Sequence, residues 1–224
     1  MKKFINKSNL NIIKKIFILF TLLLLYMCIS AYSYVYSVSK DLSSNVFRLH
    51  VIANSDSKED QDLKYKVRDN LINYMNTLCS DCSNKEEIIK LAQNNIENFK
   101  TIAKNTIEAD GFDYDANVEI GNYAFPTKTY GDISFPSGNY DAIRIKIGKA
   151  EGKNWWCMLY PSLCFVDITS GIVPDESKEN LKESLTNEEY NLVSDSNKVS
   201  YSFKFKIIEF FNNNSLITAK ATVH

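Results

Sequence analysis

Between Phe47 and Asp69 the hydrophobic period of this chain switches abruptly. In FRLHVIANSDSKEDQDLKYKVRD, Phe47, Leu49 and Val51 alternate with Arg48, His50 and Ile52, the two-residue repeat of a strand. Asn54-Ser55-Asp56-Ser57 ends that repeat. Four small polar residues cannot extend a hydrophobic strand, but they can accept the free N–H groups of a helix start. Ser57 with Asp60, and Asp56 with Glu59, have capping-box spacing. Leu63, Val67, Leu71, Tyr74 and Leu78 then recur at intervals of three or four, which makes one apolar helix face. A strand therefore feeds a helix through a tight polar junction. The helix start is ready for an anion, but its own carboxylates occupy it.

The rest of the chain fills out an α+β domain. A second helix is expected from about Lys85 to Asp110, antiparallel to the first across the Cys79–Asn84 turn, with Gly111 as a left-handed cap. The period then returns to two at Phe112, Tyr114, Val118, Ile120 and Tyr123. Residues 124–139, AFPTKTYGDISFPSGN, are expected to form a long ordered loop. Tyr140 to Ile147 is a strand with Ile143, Ile145 and Ile147 on one face and Arg144 and Lys146 on the other. Gly148 to Lys153 is expected to be a hairpin loop into Trp155–Tyr160. That last strand is apolar on both faces, hence expected to be central, and Pro161 ends it. A short helix is expected at Glu176–Leu185 and a half-buried strand at about 199–208, where Val199, Tyr201, Phe203, Phe205 and Ile207 alternate with serines and lysines. With no repeat and no linker, residues 40–224 make one domain, an antiparallel helix pair packed on a mainly antiparallel sheet.

Ahead of that domain, residues 1–39 are of a different kind. Lys2, Lys3, Lys7, Lys14 and Lys15 precede the uncharged run IFILFTLLLLYMCI at 16–29. That is the layout of a signal peptide. The uncharged stretch continues from Ile16 to Ser39, long enough for a membrane anchor, while Ala31 and Ser33 offer an imperfect cleavage site. Either way the lysines stay inside and the body lies outside the cytoplasm. Without those five lysines, 21 Lys and Arg face 27 Asp and Glu. An acidic body of this kind excludes a nucleic-acid partner.

Chemistry is sparse. The two histidines are His50 and His224, and no zincin, nucleophile-elbow, Walker or dinucleotide motif occurs. His50 is expected to be a hydrogen-bonded strand histidine beside Arg48. Asp56, Glu59, Asp60 and Asp62 lack calcium-loop spacing and are expected to favour the helix dipole. No cofactor and no metal are expected. Cys79-x-x-Cys82 has no second half at zinc spacing, which leaves a local disulfide or two thiols. Cys157 and Cys164 can bridge if Pro161 turns the chain back, whereas a straight strand would hold them apart. Arg48, Arg68 and Arg144 are the only arginines in a chain with 23 lysines, so each is expected where a planar bidentate donor is needed.

HVIANSDSKEDQDLKYKVRD at 50–69 and FPTKTYGDISFPSGNYDAIRIKIGKAEGKNWWCMLYPSLCF at 125–165 resemble the stage II sporulation protein R family, as does Ala109–Tyr114 between them. The resemblance covers most of 47–167; the tail from 168 to 224 matches loosely. It implies a sporulation signal that is not an enzyme. Such a protein is exported from the forespore into the intermembrane space, where it activates a membrane-embedded aspartic protease of the mother cell. That protease processes the precursor of the mother-cell sigma factor. The receptor contact is expected at the 48–68 junction and the 125–139 loop, with Arg48, His50, Asn54, Asp56, Asp60, Gln61, Arg68 and Tyr130 as its residues. The alternative is a cell-wall hydrolase using the Asp and Glu residues near 56–62.

Overall fold

The computed structural model describes residues 7–79, 82, 84–164, 173 and 175–194, so the strand pattern at 199–208 lies outside the described residues. The chain divides into two compact units, 1–39 and 40–224. Helix α1 (Lys7–Asn45) begins in the first unit. Its Asn11–Ala31 segment is 21 residues long with a mean hydropathy of 2.3, and none of it is buried. Ile16, Phe17, Leu19, Phe20, Leu23 and Tyr26 are each more than half exposed, so the helix is apolar all round. At ~1.5 Å per residue it matches the ~30 Å bilayer core. A signal or membrane-anchor role follows from that match.

The second unit holds β1 (Phe47–Ile52), α2 (Lys58–Leu78), α3 (Lys85–Asn94), α4 (Ile96–Ala109), β2 (Ala116–Phe125), β3 (Lys128–Tyr130), β4 (Ile133–Phe135), β5 (Gly138–Ile147), β6 (Asn154–Tyr160), α5 (Asp175–Ser184) and α6 (Asn187–Ser194). The expected α+β class holds: helices pack on a four-stranded sheet of order β2-β5-β1-β6. β2 with β5 and β1 with β6 are antiparallel, while β1 runs parallel to β5.

That order corrects three expectations. Trp155–Tyr160 is an edge strand, not a central one, although it is apolar on both faces. Gly148 to Lys153 is not a hairpin loop, because β1 lies between β5 and β6 and the connection must cross its end. The expected loop at 124–139 contains the paired strands β3 and β4, turned by Gly131 at φ +58°.

The helical layer follows local chemistry. Ser57 caps α2 by accepting from Asp60 N. The second helix is interrupted at Asn95, whose Nδ2 donates to Leu91 O and whose backbone N–H is shared between Leu91 O and Ala92 O. The antiparallel partner of α2 is thus α4 rather than one long helix. Asn70 bonds Thr106 and Tyr74 meets Phe99 edge-on, so sequence order runs oppositely along the pair. Gly111 ends α4 at φ +84°, with Phe112 N donating to Ile107 O and Gly111 N to Glu108 O, a Schellman cap. A helix not expected from the pattern, α6, starts with a reciprocal capping box: Glu189 N donates to Thr186 Oγ1 and Thr186 N to Glu189 Oε2.

The sheet has two unlike faces. Phe47, Leu49, Val51, Ile143, Ile145, Ile147 and Cys157 are buried on the face that carries the helices. The opposite face is aromatic at one end. Its centre is Arg48, fully buried, with its guanidinium 4.2 Å from the Phe125 ring centroid and 4.7 Å from that of Tyr140. Nη2 donates to Tyr130 Oη at 2.7 Å from the β3–β4 hairpin. A desolvated guanidinium on an aromatic ring is stabilised by ~2 kcal/mol or more. A lysine would keep the charge and lose the planar stack. Arg48→Lys is therefore expected to destabilise the protein by about 2–4 kcal/mol, and the neutral Arg48→Met by less. Urea midpoints of the two variants, measured on the detergent-solubilised chain, check this ordering.

Candidate functional site

The residues expected to form a contact fall into three places. Arg48, Tyr130 and His50 share the aromatic end of the helix-free face. His50 is 6% exposed and stacks on Trp156 with centroids 3.6 Å apart. Its Nε2 shares a 2.7 Å hydrogen bond with Asn154 Oδ1, and Nδ1 is buried without a partner. Burial, with Arg144, Lys146 and Arg48 nearby, lowers its pKa from 6.5 to about 4 against the opposing Asn154 bond. Arg68 lies on the helix side instead. It stacks over Trp155 at 4.3 Å and Tyr65 at 4.9 Å, and its Nε donates to Asp69.

Asn54, Asp56, Asp60 and Gln61 form the third group, a clamp on the loop that crosses β1. Asn54 Oδ1 accepts from Lys149 N at 2.9 Å, and Asp56 Oδ1 accepts from Lys153 N at 2.7 Å. The main chain joins in: Glu151 N donates to Asn54 O and Gly152 N to Ala53 O. Asp60 Oδ2 accepts from Asn54 Nδ2 at 2.8 Å and from Ser55 Oγ at 2.5 Å. Burial pushes the Asp60 carboxyl up, but hydrogen bonds from Ser55, Asn54 and Tyr114 outweigh it and hold it below the usual range. Gln61 donates to Ser55 O and accepts from Lys64, whose Nζ also reaches Lys153 O. A Cβ on Gly152 would stand 2.1 Å from Ser55 O, so only glycine fits that crossing.

These contacts change what the junction can do. Asp56 and Asp60 are each directed to a different internal donor, while Glu59 and Asp62 point to solvent. Among the described residues no cluster of three metal-ligating side chains forms. Burial also removes Arg48, His50, Asp60 and Tyr130 from the solvent-facing surface, each being 9% exposed or less.

The surface that remains open is the other half of the helix-free face. Register places Asn117, Glu119 and Tyr123 on β2, Arg144 and Lys146 on β5, Ile52 on β1, and Asn154 and Trp156 on β6 along one side of the sheet. Asn117 and Asn154 are exposed and the others half-buried. Glu119 Oε2 accepts from Arg144 at 2.6 Å and Oε1 from Lys146 at 3.1 Å. The Arg144 hydrogen bond, aided by Lys146 and opposed by burial, holds the Glu119 carboxyl below its ordinary range. Arg144 also lies 3.9 Å over the Tyr123 ring. Sequence reasoning placed Arg144 and Lys146 on a polar face but did not join them to Glu119 and Tyr123. The signal for that pairing is cross-strand register, which alternation alone does not supply.

A family model described as Stage II sporulation protein R matches residues 43–170, more than half of the chain. The chain belongs to the stage II sporulation protein R family. Stage II sporulation protein R of Bacillus subtilis (strain 168) is 38% identical to it over 144 residues, 63% of this chain and 64% of that protein. The match thus spans less than two thirds of the relative's length. No solved structure matches. Both blocks that carry the family resemblance meet in the clamp, through Asn54 with Lys149, Asp56 with Lys153 and Lys64 with Lys153. Membership supports a role in sporulation, and the matched residues hold the sheet, the clamp and the open face, but neither α5 nor α6.

Two outcomes follow from this geometry. Asp60→Asn puts an NH2 donor against the donors of Asn54 and Ser55, and is expected to destabilise the fold by about 1–3 kcal/mol in urea titrations. Because folding lowers the His50 pKa, the unfolded chain binds the extra proton between about 6.5 and about 4. Its contribution is complete above that window and is lost as pH falls through it, by on the order of 3 kcal/mol. His50→Gln is expected to flatten this part of the stability-against-pH curve.

Proposed function

We propose that this chain is a non-catalytic sporulation signal that acts outside the cytoplasm by binding a membrane-embedded aspartic protease and shifting it to an active state. Export from the forespore into the intermembrane space places it opposite the mother-cell membrane, and the protease then processes the sigma-factor precursor. Family membership supports the sporulation role, and the apolar helix supports export or anchoring.

The observation that carries a binding role is the contrast between two polar regions of the body. At the junction, the carboxylates that a hydrolase would need serve as acceptors for the crossing loop. On the open sheet face, Tyr123, Trp156 and Ile52 stand half-buried among Arg144, Lys146 and Glu119. Aromatic and arginine side chains in a flat, partly desolvated patch are the usual anchors of protein recognition. The receptor contact is therefore assigned to this face, with the β3–β4 hairpin as its neighbour.

Co-expression of this chain, the protease and the sigma-factor precursor in a non-sporulating host tests the reading. Processing is expected with the native chain. It is expected to fall at least about tenfold with Tyr123→Ala or Asn117→Arg, which change the open face, with the folding of each variant checked by its melting temperature. Unchanged processing by both variants would remove the face from the contact. Cleavage of peptidoglycan by the purified chain would favour the hydrolase instead.

A further inference from the structure

A groove of about 420 Å³ lies on the other end of the domain, between the last turn of α2, the turn after β6 and the last turn of α5. Its apolar part is formed by Met75, Ile88, Leu159 and Pro161, and its polar part by Asn76, Asn180, Glu183 and Ser184. The Cys79–Cys82 disulfide, which closes the turn after α2, forms one wall. Of the lining residues, Met75, Ile88 and Pro161 are buried, while Asn76, Asn180 and Glu183 are exposed. The groove is thus apolar at depth and polar at its mouth.

Glu183 is the only charged side chain among the described lining residues. Two helices end here, α2 at Leu78 and α5 at Ser184, and the C-terminal end of a helix carries the negative pole of its dipole. No basic residue occupies the last turn of α2. Of the lysines of α5, Lys178 pairs with Asp132 at 2.7 Å, and Lys182, in the last turn, lies over the Tyr190 ring rather than in the groove lining. Lys85, at the start of α3, donates to Ser43 O and pairs with Asp141. Among the described residues that line it, the mouth thus has Glu183 and no cation.

We infer that this groove receives a lysine or arginine side chain of a partner protein. The aliphatic stem lies on Met75, Leu159 and Pro161, and the cationic head sits beside Glu183 and the two helix ends. Long basic side chains combine such an apolar stem and charged head, and an uncharged or acidic side chain matches only half of the groove. The inference does not depend on the identity of the receptor, since it is read on this chain alone. The α5 wall lies beyond the residues matched by the family model, while the α2 and β6 walls lie within them.

The test is a titration of the full chain in detergent micelles, followed by amide NMR shifts. The probes are Nα-acetyl-lysine methylamide, the arginine equivalent, and two controls, the norleucine and glutamate equivalents. The lysine or arginine probe is expected to shift the amides of Asn76, Cys79, Glu183 and Ser184. It is expected to bind about three- to tenfold more tightly than norleucine, with glutamate weakest. Glu183→Gln is expected to remove most of that preference, and Asn76→Lys, which places a cation of the chain's own in the mouth, to abolish the shifts. Neither position is buried, so both variants are expected to keep the native melting temperature. Equal binding of norleucine and lysine, a preference that survives Glu183→Gln, or shifts elsewhere in the protein would each overturn the inference.

Discussion

The connection from β5 to β6 has to pass over β1, and this one topological demand organises the rest of the domain. A crossing loop buries main-chain polar groups unless something at the crossing supplies partners. Here the strand end beneath it does so. Ala53 and Asn54 offer their carbonyls, Asn54 and Asp56 offer side-chain oxygens, and Gly152 allows the two backbones to approach. The same few residues must also start α2, which explains why four small polar residues follow a hydrophobic strand so abruptly. Ser57 caps the helix, while Asp60, one turn in, reaches back to hold Asn54 and Ser55 in place. Cap and clamp thus share their parts, and losing one loosens the other.

On the helix-free face the organising group is a cation. The chain's three arginines all lie against aromatic rings: Arg48 on Phe125 and Tyr140, Arg68 on Trp155 and Tyr65, Arg144 on Tyr123. The expectation of a planar, two-pronged donor holds for Arg68, whose Nε and Nη2 both reach Asp69, while for Arg48 and Arg144 stacking on a ring is the feature a lysine would lose. Arg48 is the extreme case. It sits in a second, aromatic core, where ring faces and one phenol oxygen replace the water it lost. His50, neutral and stacked on Trp156, completes that core.

Much of this was legible from local pattern and little of it from long-range order. The strand at β1, the α2 apolar face, the Gly111 cap and the α5 helix each follow from spacing within one segment. Strand order does not. Trp155–Tyr160 has the composition of a central strand, yet it is an edge covered by Tyr65 on one side and His50 on the other. Short strands escape for another reason. β3 and β4 have three residues each, too few for alternation to register. Asn95 interrupts a helix that its neighbours would continue: its side-chain amide adds a second donor to Leu91 O, and its Oδ1 accepts from Tyr74 of α2. Of the residues expected at the contact, Asn54, Asp56, Asp60 and Gln61 serve the crossing loop, because polarity in a crossing is a requirement of the main chain as much as of solvent.

That distinction bears on function. A polar, oddly worded motif invites a catalytic or ligand-binding reading, and the acids at 56–62 invite a hydrolase. General acid–base chemistry needs two groups that share a substrate and whose pKa values are driven apart toward working pH. Asp60 is driven the other way, its carboxyl held below the usual range against burial by hydrogen bonds that include those from Ser55 and Asn54. Asp56 holds the backbone of Lys153. The motif is a joint between two blocks of sequence, and a joint that rigid has a consequence for signalling. It fixes the open face and the groove on one body, so the contacts proposed at either would be made by a preformed surface, with little ordering entropy to oppose them.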